Sequence, residues 1–458
     1  EHLGGLTINA EAGAGTIAIE QIGDASALGG VIGTATIGNT DTAQVNFDGT
    51  IYKVNGATTI TGEDGASDGS IDFTAGAAAT FTTFNDTLKF VTGVIDLDAG
   101  TNLTIATNGG ALEIQGIRGD SDETVTLGVN NTDADDTELI TIGTDGIGSG
   151  DQIGAISVTA ADGITIQGDI ASSDASVTDI TFTGPVLIEG TVTIDSDDTD
   201  GNNDGAISFS STIDSGESTG NLTILAGDTD GEGGLTLSGT IGGTTALGSL
   251  NINATDGDIA FTVPQIGDGE AGVTGLTVLG NTGSGTLTLD ASTYLFGGGL
   301  TIGPNYSSSG SNISSFTTAG DVSFLGTVEL DGTFSIDSGG GDISIAGNIT
   351  STGEDEILTL KDGDGSGETG TITLGGTVSA STITLVGDSG IILKGDITSN
   401  NTASAGSINF TGPITLADTS TDSVTIDADQ HADTTVTFNG TATVNAATSG
   451  GQSLTIDT

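Results

Sequence analysis

Asp162-Gly163-Ile164-Thr165-Ile166-Gln167-Gly168-Asp169-Ile170 decides the fold. Apolar and polar residues alternate within it, the period of a strand with one buried face. Gly168 ends the run, and a second strand begins at Ile170. The unit returns as Gly233-Gly234-Leu235-Thr236-Leu237-Ser238-Gly239-Thr240-Ile241 and as Asp342-Ile343-Ser344-Ile345-Ala346-Gly347-Asn348-Ile349. Two more copies are Gly370-Thr371-Ile372-Thr373-Leu374-Gly375-Gly376-Thr377-Val378 and Gly390-Ile391-Ile392-Leu393-Lys394-Gly395-Asp396-Ile397. Recurrence of one strand–turn–strand unit is the signature of a stacked array, in which each copy buries its apolar face against its neighbours.

Strand patterns run from Leu6-Thr7-Ile8 to Leu454-Thr455-Ile456 with no helical period between them. The expected fold is all-β: a parallel β-solenoid with coils of roughly 20–25 residues. Tandem β-sandwich domains are the alternative. A sandwich calls for bulky aromatic cores, whereas aromatics are 4% of this chain and Trp is absent. A longer repeat is superimposed. Gly163–Ile170 leads to Ile180-Thr181-Phe182-Thr183-Gly184-Pro185-Val186, and Gly390–Ile397 leads to Ile408-Asn409-Phe410-Thr411-Gly412-Pro413-Ile414. The offsets are 227 (390 − 163) and 228 (408 − 180). We read residues 1–458 as one continuous solenoid carrying an internal duplication of about 228 residues, with a boundary near residue 240.

The chain holds 62 Asp and Glu against 5 Lys and Arg, a formal charge of −57. Such a surface repels nucleic acid and anionic lipid. Two readings stand: a solubilising coat, and charge neutralised in part by cations in a saline or calcium-containing medium. Cys is absent, which excludes disulfides and thiolate chemistry. Nothing resembles a run of about 18 apolar residues, so no membrane insertion is expected. Residue 1 is Glu and Met is absent, so the chain is expected to begin after processing or to be part of a longer one.

The repeated glycine-punctuated units resemble those of large bacterial surface proteins of the filamentous haemagglutinin and β-strand-repeat kind. That resemblance implies export, long β-helices and a part in adhesion, surface coating or biofilm cohesion. It carries over no catalytic residue. The chain departs from the pattern in its acidity and in lacking a recognisable secretion domain.

Three loops have the alternating oxygen spacing of a calcium turn: Asp200, Asn202 and Asp204; Asp228, Asp230 and Glu232; Asp362, Asp364 and Ser366. Each ends in Gly, which permits the sharp turn a hard cation needs. The closing acid of a full EF-hand is missing, since Ser211, Gly239 and Thr373 stand in its place. Calcium is therefore the expected cofactor, competing with ordinary acidic turns. Arg118-Gly119-Asp120 reads as a surface turn, and His2 and His431 are isolated. The Thr-x-Thr pairs and the sequons at Asn102, Asn221, Asn348 and Asn409 suit strand packing and a surface protein.

These features predict a non-enzymatic extracellular or cell-surface structural protein, a subunit or segment of a filament, fibrous adhesin or surface coat. Its expected partners are copies of itself, joined end to end through strand edges, and glycans or cell surfaces. The rival is a binding module with an aromatic tip around Tyr294–Phe316. A β-helical carbohydrate-active enzyme is the third reading. It is weakened by the scarcity of Lys, Arg and sugar-stacking aromatics, the latter limited to Tyr52, Tyr294 and Tyr306.

Overall fold

Buried and half-buried residues alternate along most strands, as in Leu103–Asn108 or Ala79–Phe84, because every second side chain faces inward. The computed structural model describes residues 4–9, 15–23, 32–39, 42–63, 70–84, 86–120, 123–129, 138–148, 153–172, 179–196, 205–216, 219–226, 234–253, 261–270, 272–280, 287–289, 291, 293–303, 305–308, 314–363, 369–417, 423–440, 442–447 and 452–458. Among the described residues there are strands and no helix. Two compact units divide the chain, Glu1–Gly239 and Thr240–Thr458.

In the first unit the strands pair in parallel with their counterparts one coil further on. Val45, Ile71, Ile95, Ile117, Ile147, Ile170, Ile194 and Ile224 follow one another in register. All are at most 1% exposed. Seven consecutive like-on-like steps make an aliphatic column that only a rung-on-rung stack can build. A second face is an eight-stranded sheet running from Ile51–Val54 to Gly234–Leu237. A third includes Thr58–Thr61, Leu88–Val91 and Val186–Ile188. The strand Leu112–Gly119 serves two faces, its first residues pairing with Leu88–Val91 and its last with Ile95–Leu97.

The second unit is also a parallel β-solenoid with three faces. Ile252, Leu279, Ile302, Phe324, Ile345, Leu374, Leu393 and Leu416 form its matching column. A nine-stranded sheet from Phe261–Val263 to Ser453–Asp457 and a seven-stranded sheet from Thr293–Leu295 to Thr435–Asn439 complete it. Antiparallel sandwiches are thus excluded for both units. The coil is less regular than the spacing suggests. One step takes 19 residues (391 − 372) and another 30 (224 − 194). The differences lie in the turns, which tolerate insertion because they face solvent.

The repeated halves share local geometry. Gly184 and Gly412 have φ of +125° and +107°, a region L side chains avoid. A methyl group on either would overlap a backbone carbonyl, of Ala160 or of Gly387. The next residues, Pro185 and Pro413, each accept an amide from the preceding coil, Ile164 N and Ile391 N, both at 2.7 Å. Proline sits here because its carbonyl continues the ladder while its missing N–H is not needed. Buried serines correspond as well: Ser172 Oγ donates to Gly154 O at 2.7 Å, and Ser399 Oγ to Ser381 O at 2.8 Å.

The aromatics are interior. Tyr52 stacks on Phe81, the residue in register with it (5.8 Å between centroids), and Tyr294 stacks likewise on Phe316 (5.4 Å). Each tyrosine hydroxyl receives the amide three residues before it, Gly49 N or Ala291 N, and donates to a carbonyl one coil back. Burial of the ring pushes the Tyr52 hydroxyl up to about 12, with the Gly49 backbone bond opposing and Asp48 adding.

Candidate functional site

The acidic residues do more than coat the surface. In Gly168-Asp169-Ile170, Asp169 Oδ1 accepts the amide of Thr193 at 2.7 Å. In Gly395-Asp396-Ile397, Asp396 Oδ1 accepts that of Thr425 at 2.7 Å. Gly320-Asp321-Val322, Gly341-Asp342-Ile343 and Gly347-Asn348-Ile349 repeat the device, with Asp342 N, Thr371 N and Thr377 N as donors at 2.8–2.9 Å. At each corner a short side chain supplies the acceptor that the bending backbone cannot. The glycine is required by close approach: a methyl on Gly347 or Gly395 would lie 2.5 Å from the main chain of the coil before. Sequence reasoning missed this job for the acids, although Gly-Asp/Asn-Ile/Val was visible as its signature.

Three of the five cations sit opposite acids in the ladders. Lys361 Nζ is 2.9 Å from Asp337 Oδ2, and the two residues are in register. Lys89 is ion-paired with Glu113, its register partner. Arg118 is in register with Asp96, which is in register with Asp72. Arg118 and Gly119 therefore belong to a strand rather than to the surface turn expected of Arg118-Gly119-Asp120, with only Asp120 beyond it.

Where no cation intervenes, carboxylates are strained. Burial, then Asp96 and Asp98, push Asp72 up to about 6, against the bond it accepts from Gln44. Burial followed by Asp120, Glu123 and Asp48 raises Asp98. These groups line one side of the first unit and repel one another across coils.

Of the expected calcium ligands, Asp200, Asn202, Asp204, Asp228, Asp230, Glu232, Asp364 and Ser366 lie outside the described residues. Asp362 is described. It is fully buried, and both its oxygens accept Asp388 N, at 3.0 and 2.9 Å, so its carboxylate closes the step to the next coil. Among the described residues no three His, Cys, Asp or Glu side chains gather as a metal group. His2 lies outside the described residues; His431 is half-buried, and its Nδ1 accepts Asp433 N at 3.2 Å. The aromatic tip expected around Tyr294–Phe316 is core instead: Tyr294 and Phe316 are 0% exposed and Tyr306 2%. Tyr52 is equally buried, so none of the three tyrosines presents a ring to a sugar. The reason is register, which turns each ring to the inner face of its strand.

No helix among the described residues is long and apolar enough to cross a membrane. No family model, no curated protein and no solved structure matches this chain.

Proposed function

We propose that this chain is a non-enzymatic structural protein of the cell exterior, a β-solenoid subunit or segment of a filament, fibrous adhesin or surface coat that assembles through strand edges. One observation carries the reading: the inward columns run unbroken and in register, from Val45 to Ile224 in the first unit and from Ile252 to Leu416 in the second. A stack of this kind is stiff along its length, and its strand edges can pair with those of a like coil. The reading makes copies of this chain the partners of those edges.

Function then rests on stiffness. Each coil bonds to its neighbours through the backbone, the aliphatic columns exclude water, and the acidic corners keep the polymer soluble. Buried tyrosines and ladder-paired lysines support a scaffold over a sugar-processing cleft. A saline or calcium-bearing exterior suits the charge. The resemblance to filamentous haemagglutinin-like and β-strand-repeat surface proteins agrees with this reading and stands as part of the proposal.

Sedimentation and negative-stain microscopy of the purified chain test it. Concentration-dependent linear oligomers are expected. A wild-type chain that stays monodisperse at millimolar concentration would overturn the assembly mechanism.

A further inference from the structure

Two register partners in the first unit each carry a buried oxygen with no donor. Asn46, on Thr42–Phe47, pairs in register with Asp72, on Ile71–Phe73. Both alternate with core residues, Val45 and Phe47 or Ile71 and Phe73, so both stand on the outer side of the sheet. Register partners in adjacent strands lie about 4.8 Å apart, which brings the tips of two short side chains within hydrogen-bond reach. Asn46 Oδ1 and Asp72 Oδ1 are nevertheless both closed to solvent and both without a hydrogen bond.

Other buried acids are met by main-chain donors. Glu123, 0% exposed, receives Gly100 N on Oε1 at 2.8 Å and Asp120 N on Oε2 at 2.9 Å. Asp362 receives Asp388 N on both oxygens. At Asp72 only Oδ2 is met, by Gln44 Nε2. A sealed acceptor without a donor is costly, and here two of them belong to stacked neighbours.

One proton removes both deficits. Gln44 keeps Oδ2 an acceptor, so the proton belongs on Oδ1, where a carboxylic O–H becomes a donor for Asn46 Oδ1. The surrounding charges favour it. On the other side of Asp72, the strand Ile95–Leu97 brings Asp96 into register, and Asp98 follows that strand. Asp48 follows Thr42–Phe47, and its Oδ1 accepts Thr74 Oγ1 at 2.7 Å. The two strands paired with Ile71–Phe73 carry no Lys, Arg or His. Arg118, the cation of this column, stands beyond Asp96. Burial, then Asp96 and Asp98, push Asp72 up to about 6, against the bond from Gln44.

We propose that Asp72 is a proton-operated clasp between two coils of the first unit. Protonated, it donates from Oδ1 to Asn46 Oδ1 and closes the step from Thr42–Phe47 to Ile71–Phe73. Ionised, it confronts that oxygen and Asp96 without a donor, and the step weakens. The proton comes from solvent and returns to it, and no other bond is made or broken. Because the folded chain holds the proton more tightly than the unfolded chain, the clasp engages as pH falls through about 6 and is released above it. It is independent of the assembly reading, since both groups belong to one chain.

The test is carbon-detected NMR of the full chain with labelled Asp and Asn side chains, Asp72 being assigned with Asp72→Asn. The Asp72 carboxyl carbon should titrate at about 6, and the Asn46 side-chain carbonyl carbon should shift with the same midpoint. Asn46→Val removes the acceptor while keeping the site filled. It should lower the Asp72 midpoint by about one pH unit, the equivalent of one hydrogen bond to the neutral acid. An Asn46 that turned its Nδ2 to Asp72 would instead stabilise the charge, and the same variant would then raise the midpoint. Thr74 N, which donates to Phe47 O at 3.1 Å across this step, reads the consequence. Its hydrogen-exchange protection, corrected for the intrinsic rate, should fall between about pH 5 and pH 7.5 in wild type and stay level in Asp72→Asn. A midpoint that rises or stays put in Asn46→Val would overturn the clasp. If that variant does not fold, an Asn46 carbonyl in wild type that ignores the Asp72 titration would overturn it equally.

Discussion

Asp169 and Asp396 perform the same task 227 residues apart (396 − 169): each presents Oδ1 to the amide of the third residue of a strand in the following coil, Thr193 N or Thr425 N, at 2.7 Å. The acid at this corner acts as a piece of backbone, continuing the ladder where the main chain turns away.

Removing that acceptor should therefore cost a hydrogen bond and little else. Asp396→Ala is expected to destabilise the chain by about 1 kcal/mol, and Asp396→Asn by much less, since Asn348 fills the same role with an amide oxygen. Urea unfolding followed by far-ultraviolet circular dichroism reads both. A loss as large for Asn as for Ala would make charge, not acceptance, the operative property.

Asp72 predicts a pH effect of defined sign. Its carboxyl is pushed up to about 6, first by burial and then by Asp96 and Asp98. The folded state thus holds a proton that the unfolded chain has released between pH 6 and the ordinary carboxylate range near 4. This group's contribution to stability rises as pH falls through that window and is lowest above pH 6. Asp72→Asn should stabilise the chain at pH 7 and flatten the melting temperature between pH 7 and pH 4.5. An unchanged pH slope in the variant would remove Asp72 as the source.

Gly184 offers a steric test. Gly184→Ala puts a methyl at φ +125° against the Ala160 carbonyl. Backbone strain alone is worth about 1–2 kcal/mol, and the overlap adds to it. Thermal unfolding should show a clear loss, whereas Gly190→Ala, with open space around its Cβ, should show only the strain of its own positive φ.

The ion pair between Lys361 and Asp337 should matter little by itself. Both side chains are about a third exposed, so Lys361→Met is expected to cost roughly 0.2–1 kcal/mol at low salt and less at 1 M sodium chloride. Denaturant titrations at the two salt concentrations separate this from loss of the lysine's methylene packing, which salt does not screen.

Much of the architecture is legible in the sequence itself. Period-two alternation in stretches such as Ile164-Thr165-Ile166 specified strands with one buried face, and recurrence of the glycine-punctuated unit specified stacking. Both follow from local chemistry, because a strand of this pattern can hide its apolar side only against another like it. The correspondence of Gly184-Pro185 with Gly412-Pro413 was equally readable, as the two pairs bend the chain in the same way. What tertiary structure alone decided is which side chain meets which. Whether Tyr294 faced solvent or core depended on register between Thr293–Leu295 and Ser314–Thr317, set by turns of irregular length. The contrast between Glu123, satisfied by two amides, and Asp72, whose Oδ1 meets no donor, depends on how distant coils come together. Nothing in the order of neighbouring residues encodes that, because hydrogen-bond partners 20 to 50 positions away become adjacent only when the coils close.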